Sequence, residues 1–350
     1  MPTAVIQREA AVVRFLSHKL QVFSLPDSGG RETLLREMPL HDVERVVLSE
    51  AVRLSSSAVS ALLRAGAPVQ LFTRTGRYLG GFLPAEKPHG ATRLLQYRRV
   101  QEPKFVLRIA GKIVSAKLYN QRRVLQRLRL GRRRVAEGGE GQPPLDLEAV
   151  QSAEQRIGAL MDRVRSAADL EELLGLEGAA AAAYYPAWAR FLPPEFPFER
   201  RSTRPPLNPV NACVSFGATV LYAEAVAAIH ARGLDPALGV YHVSANDRWS
   251  LALDFIEPFR PALVEALALD LFSHRMVDSR CFERREDGGV FLNESGRRKF
   301  FLQYEARMER EFLSEAVGCR TTLRRELERQ ALMFKAALED RDAFEPFLIN

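Results

Sequence analysis

Cysteine is scarce in this chain. Cys213, Cys281 and Cys319 are odd in number, far apart and without a C-x-x-C pair, which excludes a disulfide framework or a zinc knuckle and leaves reduced, mostly buried thiols as the expectation. Histidine is also sparse, with six in 350 residues, and no H-E-x-x-H helix occurs. No uncharged apolar run reaches the roughly 20 residues needed to cross a bilayer, and GAAAAAYYPAWARF is short and broken by Pro186. The opening MPTAVIQREAAVVRF lacks the charged-then-apolar order of a secretion signal. These absences predict a cytoplasmic protein with no membrane contact. Internal repeats and long low-complexity segments are absent too.

What is present is length enough for two domains, a 47% hydrophobic fraction that can fill a core, and a net charge of +7. The charge is unevenly spread. From Arg93 to Glu140 there are fourteen Lys or Arg against three Glu, a local net of +11, so the remainder sums to about −4. Such concentration suits a surface that meets a polyanion.

The first 84 residues read as a small β unit with one helix. AAVVRFLSHKLQVFSLP and VERVVLSEAVRLS are β-branched and partly alternating, the former ending at a Pro/Asp/Ser/Gly/Gly turn. SSSAVSALLRAGA switches to helical spacing, with Val59, Leu62 and Leu63 on one face, Ser55–Ser57 as caps and Gly66 as a stop. PVQLFTRTGRYLGGFLP predicts a hairpin turning near Thr75–Gly76. Residues 85–91 form a polar Pro/Gly linker. From about Thr92 the pattern is helical, with Val106, Ile109, Ile113, Val114 and Leu118 on one stripe and Arg and Lys opposite. The basic stretch Arg98–Arg134 reads as one helix, Val135–Asp146 as a loop, and further helices are expected near 147–165, 168–190, 210–232, 249–275 and 297–335. The predicted fold class is α+β and multidomain: a small mostly-β domain (1–84), a linker, and a larger all-α domain (92–350).

One block concentrates chemistry. After a helix that Gly233 and Pro236 terminate, YHVSANDRWSLALDFIEP carries His242, then Ser250 as a candidate cap, then Asp254 and Glu257 three apart on one helix face. Two carboxylates in an apolar setting repel unless a cation lies near. Pro258 and Pro261 predict a kink just where Glu257 sits. An imidazole with carboxylates suits a divalent ion such as Mn²⁺ or Mg²⁺, and Arg248 and Arg260 suit phosphate oxygens. Taken alone, such a trio is more often a solvated face or a structural ion pair.

The surrounding motifs change that balance. Asn211, Ala212, Ser215, Phe216, Gly217, Leu221 and Tyr222 are followed by Gly233, Leu234, Asp235, Pro236, Gly239 and His242. Ser250–Asp254, Glu257 and Phe259–Pro261 complete the series. Dense, ordered and collinear, these residues resemble the signature of the CRISPR-associated adaptation integrase family, the universal "Cas one" endonucleases. LHDVERVVLSEAVRLSSSAVSALLRAGAPVQLFTRTGRYLGG and LNESGRRKFFLQYEARMER extend the resemblance over nearly the whole chain. Departures occur at Gly217-Ala218-Thr219, at Asp247-Arg248-Trp249 and at Glu265, where the family commonly has other residues; none removes a candidate ligand, and they bear on DNA contacts.

The resemblance implies a metal site built from His242, Glu257 and an earlier glutamate. LLGLEGAAAAAYYPAW nominates Glu177, with Glu171 and Glu172 as the alternative. Asp254 is then an adjacent ligand or a water-mediated support. It also implies spacer acquisition: joining 3′-hydroxyls of a protospacer DNA fragment to the leader end of a CRISPR repeat by transesterification, with Mg²⁺ or Mn²⁺ and no covalent protein–DNA intermediate. Phosphates would meet the Arg98–Arg134 stretch, including Arg122 and Arg123, and Arg248, Arg260, Arg297, Arg298 and Lys299. The implied assembly is a homodimer joined through the β domain, two of which flank a dimer of a small "Cas two" partner in a heterohexamer. The rivals are a DNA-bridging relative without catalysis and a hydrolase of a small phosphate ester.

Overall fold

The computed structural model describes residues 3–8, 10–25, 31–73, 76–85, 89–137, 145–242, 244–315, 317–339 and 344–350, with side chains at 134–137 excepted. The Pro/Asp/Ser/Gly/Gly turn at 26–30, Thr75 of the hairpin turn, 86–88 of the linker and 138–144 of the loop lie outside these residues.

The N-terminal part is built from two four-stranded sheets. One has the order β1 (Thr3–Ile6), β5 (Arg45–Ser49), β7 (Val69–Phe72), β8 (Tyr78–Phe82), parallel except for the β7–β8 hairpin. The other has the order β4 (Thr33–Pro39), β3 (Lys19–Ser24), β2 (Ala11–Leu16), β6 (Arg53–Leu54). The β2–β3 hairpin closes through Ser17 and His18, both with positive φ, the backbone that matches strand twist in a two-residue turn. Helix α1 (Ser56–Arg64) begins where the Ser55 hydroxyl accepts the Ala58 N–H. Val13, Leu20, Val46, Leu48, Leu62 and Val69 fill the space between these layers. Strands β1 and β4 had no counterpart in the sequence expectation: β1 is four residues long, and β4 is exposed over most of its length, so neither shows a clean alternation.

The rest is mostly helical: α2 (Gly90–Arg99), α3 (Pro103–Glu137), α4 (Leu147–Val164), α5 (Leu170–Ala189), α6 (Pro209–His230), α7 (Ser250–Ile256), α8 (Ala266–Ser273), α9 (Glu294–Glu309) and α10 (Leu323–Leu338). Four expectations need correction. The stretch Arg98–Arg134 is two helices, because Pro103 has no N–H to continue α2 and instead opens α3. Helix α3 then runs through Val135 to Glu137, into the expected loop. The expected helix 249–275 widens to a π-helical turn at Arg260–Glu265 between α7 and α8, the consequence of Pro258 and Pro261. The expected helix 297–335 is interrupted by a hairpin of β11 (Phe312–Ser314) and β12 (Cys319–Thr321). A second hairpin, β9 (Phe282–Arg284) with β10 (Val290–Leu292), turns through the positive-φ Gly288. The larger region is thus mostly helical, as expected, with two short hairpins set between its helices.

Helix α6 is long and apolar enough to cross a membrane, but 67% of that window is buried inside the protein. Its phase explains this: residues all round it are apolar, so every face packs. Gly217 admits Phe300 and Val264, which an added Cβ would meet at 2.9 and 3.0 Å. The two parts of the chain meet at a buried ionic cluster. Arg45 on β5 and Arg324 on α10 both pair with Glu224 on α6, and Arg324 also pairs with Glu305 and Glu309 on α9.

Candidate active site

The loop after α6 is held from both ends. Gly233 takes the positive φ that ends the helix. The fully buried Gln96 of α2 donates to the Asp235 carbonyl at 2.9 Å and accepts the Asp235 N–H at 2.8 Å. The Tyr222 hydroxyl accepts the Trp249 N–H at 3.0 Å, and the Pro236 carbonyl accepts that of Leu251 at 2.9 Å. The cap of α7 is Trp249, with Ser250 as the first helical residue, one position earlier than expected.

Asp254, fully buried on α7, organises the end of this loop. Its carboxylate accepts the N–H groups of Val240, Tyr241 and His242 at 2.6, 3.1 and 2.8 Å, and Oδ1 lies 2.8 Å from His242 Nδ1. An ionised carboxylate only accepts, so Nδ1 carries the proton and Nε2 is the ring nitrogen left for chemistry. Burial opposes a charged imidazole, but the hydrogen bond and charge of Asp254, with Glu257 and Glu177 behind it, outweigh burial and raise the His242 pKa. Gly239 permits the arrangement: a Cβ there would sit 2.9 Å from Asp254 Oδ2 and 2.8 Å from Ser250 Cβ. Asp254 is thus committed to the loop and the imidazole, which suits the supporting one of the two roles left open for it.

Glu257 follows α7 as its C-cap. Although it shares helix phase with Asp254, its partners differ. Its carboxylate accepts from Arg260 at 2.9 Å and pairs with Lys117 of α3. Burial alone would raise its pKa; Arg260 and Lys117 overcome that and lower it. Lys117 also pairs with Glu177, which rises from α5 and accepts the hydroxyl of Tyr241. Burial works against the Lys117 charge, yet the two glutamates outweigh it and raise its pKa. Lys117 is 6% and Glu257 3% exposed, whereas the Glu177 and His242 side chains are 20% and 26% exposed. The cluster therefore opens to solvent on the Glu177–His242 side. Glu171 and Glu172 lie in the first turn of α5, whose N-cap is Asp169, and Glu172 accepts the Ala168 N–H at 2.9 Å.

Two carboxylates and an imidazole Nε2 are the donor chemistry of a Mg²⁺ or Mn²⁺ site. Among the described residues no three His, Cys, Asp or Glu side chains stand close enough to hold an ion as placed. The position between the two glutamates is taken by the Lys117 ammonium, which supplies the positive charge such a pair demands. The donor types fit a divalent ion, which would compete with that ammonium for the two glutamates.

Of the basic candidates, Arg260 is in the cluster, and Arg248 is tied to the start of α7 by Nε donating to Ser250 Oγ at 3.3 Å. Arg122 lies over Gly158 of α4, and Arg123 donates to Gln126 at 3.2 Å. Arg297 needs correction as a DNA contact: it is buried and donates to the Leu292 carbonyl at 2.7 Å. Arg298 and Lys299 instead line a cleft with Arg8 and Arg36, a cleft in which none of the four acid and imidazole candidates takes part. Lys117, Tyr241 and Asn120 were not expected. The signal for Lys117 was a charge on the apolar stripe, three and four residues after Val114 and Ile113. Asn120, one turn on, donates to the carbonyls of Pro258 and Phe347 at 2.6 and 2.9 Å and accepts the Ile349 N–H at 2.9 Å. Of the signature residues, Asn211 and Ser215 accept from the Arg201 guanidinium at 2.8 and 3.0 Å, a structural role.

A model of the family described as CRISPR associated protein Cas1 matches residues 5–306. A Thermus thermophilus protein named CRISPR-associated endonuclease Cas1 1 is 34% identical over 98% of this chain and 98% of its own length. A Cas4 exonuclease/Cas1 endonuclease fusion of Rhodospirillum rubrum is 32% identical over 85% of this chain, which spans 50% of that longer protein. Among solved structures, the Thermotoga maritima Cas1 protein shares the fold at 24% identity and a TM-score of 0.75, covering 98% of each chain. A Cas6-RT-Cas1–Cas2 complex gives 25% identity and a TM-score of 0.76 over 99% of this chain and 36% of that one. With a family model over most of its length, the same fold and full-length relatives above 30% identity, the chain belongs to the Cas1 family of CRISPR-associated proteins, among whose named members are endonucleases.

Proposed function

We propose that this chain is a metal-dependent DNA integrase and endonuclease of CRISPR adaptation. It joins the 3′-hydroxyl ends of protospacer DNA to the repeat by transesterification at phosphorus. The observation that carries the reading is a cluster from three separate segments, in which Lys117 joins Glu177 to the buried Glu257 and the Asp254-oriented His242 stands with Glu177 on the solvent-open side, in a basic protein. A divalent ion held by Glu177, Glu257 and His242 Nε2 would supply charge stabilisation at the scissile phosphate and its attacking or leaving oxygen. Asp254 keeps the imidazole in one tautomer and one orientation. Arg260, paired with Glu257, and Arg248, at the start of α7, suit the non-bridging phosphate oxygens. Tyr241 holds Glu177 by its hydroxyl. The nucleophile is the DNA 3′-hydroxyl, so no serine or tyrosine is asked to attack.

DNA, a second copy of this chain and a Cas2-type partner are the proposed associates, in a heterohexamer in the cytoplasm. The similarity to a chain of a Cas1–Cas2 complex supports the partner. In this reading residues 1–84 serve dimerisation, and residues 92–350, beyond the linker, serve DNA binding and catalysis. The test combines the chain, its Cas2 partner, short duplex DNA with free 3′ ends and a leader–repeat plasmid. Strand joining is expected with Mn²⁺ or Mg²⁺ and not with chelator. Joining that survives in a Glu177→Ala/His242→Ala double variant would take these residues out of the catalysis, and DNA binding by wild type without joining under either ion would leave only DNA bridging.

A further inference from the structure

We infer that Lys117 is the built-in counter-cation of this site and that a divalent ion must displace it, so that Lys117 sets the metal affinity. The inference rests on the metal-site reading above. Lys117 reaches from the middle of α3 to place one ammonium against both Glu177 and Glu257, and it is 6% exposed. Those two carboxylates are the ones the donor chemistry assigns to an ion. The ammonium and the ion therefore claim the same oxygen atoms.

The competition is built into the fold. Lys117 is flanked on its helix by the buried Val114 and Leu118, and Asn120 one turn on is pinned to Pro258 and Phe347. The helix beneath the lysine is thus fixed relative to the segment that carries Glu257. A tethered cation acts at a high effective concentration without any external supply. It also spares the empty site from two like charges, only one of which has Arg260 beside it. A divalent ion brings twice the charge to the same place and adds the imidazole as a third donor, so it can win the exchange. The consequence is a site that stays folded and electrically balanced without metal, at the expense of weaker metal binding.

Mn²⁺ binding to the full chain separates these statements, followed by the electron paramagnetic resonance of free Mn²⁺ and by thermal melts with and without the ion. Lys117→Met should bind Mn²⁺ at least about fivefold more tightly than wild type, in the range of ordinary coupling between two occupants of one protein. Its melting temperature should fall without metal and recover with it, by more than wild type gains. Lys117→Arg, which keeps the counter-charge, should show no gain in affinity. Equal affinity for wild type and Lys117→Met, with both above a Glu177→Gln/Glu257→Gln control, overturns the exchange alone. A Lys117→Met chain that stays unfolded at saturating Mn²⁺ also overturns it. Equal binding by all the chains, control included, overturns the metal-site reading itself.

Discussion

His242 and Asp254 are joined twice: the Asp254 carboxylate takes both the backbone N–H of His242 and its ring Nδ1, each at 2.8 Å. One buried acid therefore fixes where the histidine starts and which way its ring faces. Replacing it by asparagine places an amide N–H₂ among donors that need an acceptor. We expect Asp254→Asn to lose about 10–100-fold in Mn²⁺ affinity and in strand joining, the usual cost of removing the partner that orients a metal-binding histidine. A ring-proton NMR titration of the metal-free protein gives a second readout. The His242 pKa is raised in the wild type because Asp254 outweighs burial. With that charge gone burial is left to act, and the pKa should fall. A pKa that stays put would mean the carboxylate only shapes the loop.

Gly239 tests the same junction from the other side. Its φ is unexceptional, so the need for glycine is steric: a Cβ would meet the His242 carbonyl and Ser250 Cβ at 2.8 Å and Asp254 Oδ2 at 2.9 Å. Two of those neighbours are tied into the loop and α7 and have little room to give. Gly239→Ala should cost about 1–3 kcal/mol, the range for overpacking a filled site. It should reduce strand joining beyond what the lost stability explains, because Asp254 is pushed. Denaturant unfolding alongside the integration assay separates the two. A variant with wild-type stability and activity would show that the loop yields freely.

Much of this site could be read from local sequence. His242, Asp254 and Glu257 stand out as polar residues in an apolar span, and Pro258 and Pro261 marked the helix break that became the π-helical turn. The cation was harder to see. Lys117 lies 60 residues from Glu177 and farther from Glu257, and only the packing of α3 against α5 and the end of α7 brings them together. A lysine within an otherwise apolar stripe was the available hint. Arg297 shows the opposite failure: its position beside Arg298 and Lys299 suggested a basic patch, yet helix phase turns it inward onto Leu292. Asn211 and Ser215 were legible as a motif but not as a clamp on Arg201, since the pattern carries no contact information.

The junction between the β sheets and the helices depends on Glu224, whose carboxylate is 3% exposed and lies between Arg45 and Arg324. Burial would raise its pKa, but the two guanidinium groups overcome burial and lower it. A depressed carboxylate contributes stability that is present above its unfolded pKa and is lost as pH falls through the folded one. Glu224→Gln takes a carboxylate from Arg45 and one of three from Arg324, and at neutral pH it should cost about 3–5 kcal/mol. The gap between wild type and variant should hold down to about pH 5 and shrink in more acid solution. Glu305 has the opposite shift, raised by burial, so it gives up a penalty as it protonates and Glu305→Gln should be the milder change. Urea unfolding across pH checks both signs. A Glu224→Gln gap that widened on acidification, or a Glu305→Gln gap that narrowed, would contradict them.

The arginines and lysines divide by burial, and DNA binding should divide the same way. Arg298 is exposed on α9 and lines a cleft with Arg8 and Arg36, whereas Arg297 beside it spends its guanidinium on the Leu292 carbonyl. A residue that neutralises a phosphate releases about one counterion, so its loss lowers the salt dependence of binding by about one unit in slope. Arg298→Ala should therefore weaken duplex binding and flatten the plot of log affinity against log salt, with little change in melting temperature. Arg297→Ala should do the reverse: a loss of about 1.5–3 kcal/mol for a buried charge-assisted hydrogen bond, with the salt slope intact. Arg122→Ala and Arg123→Ala on α3 probe a separate surface by the same measurement. A salt slope unchanged by Arg298→Ala, Arg122→Ala and Arg123→Ala together would remove both faces from the DNA path and leave the phosphates to Arg248 and Arg260.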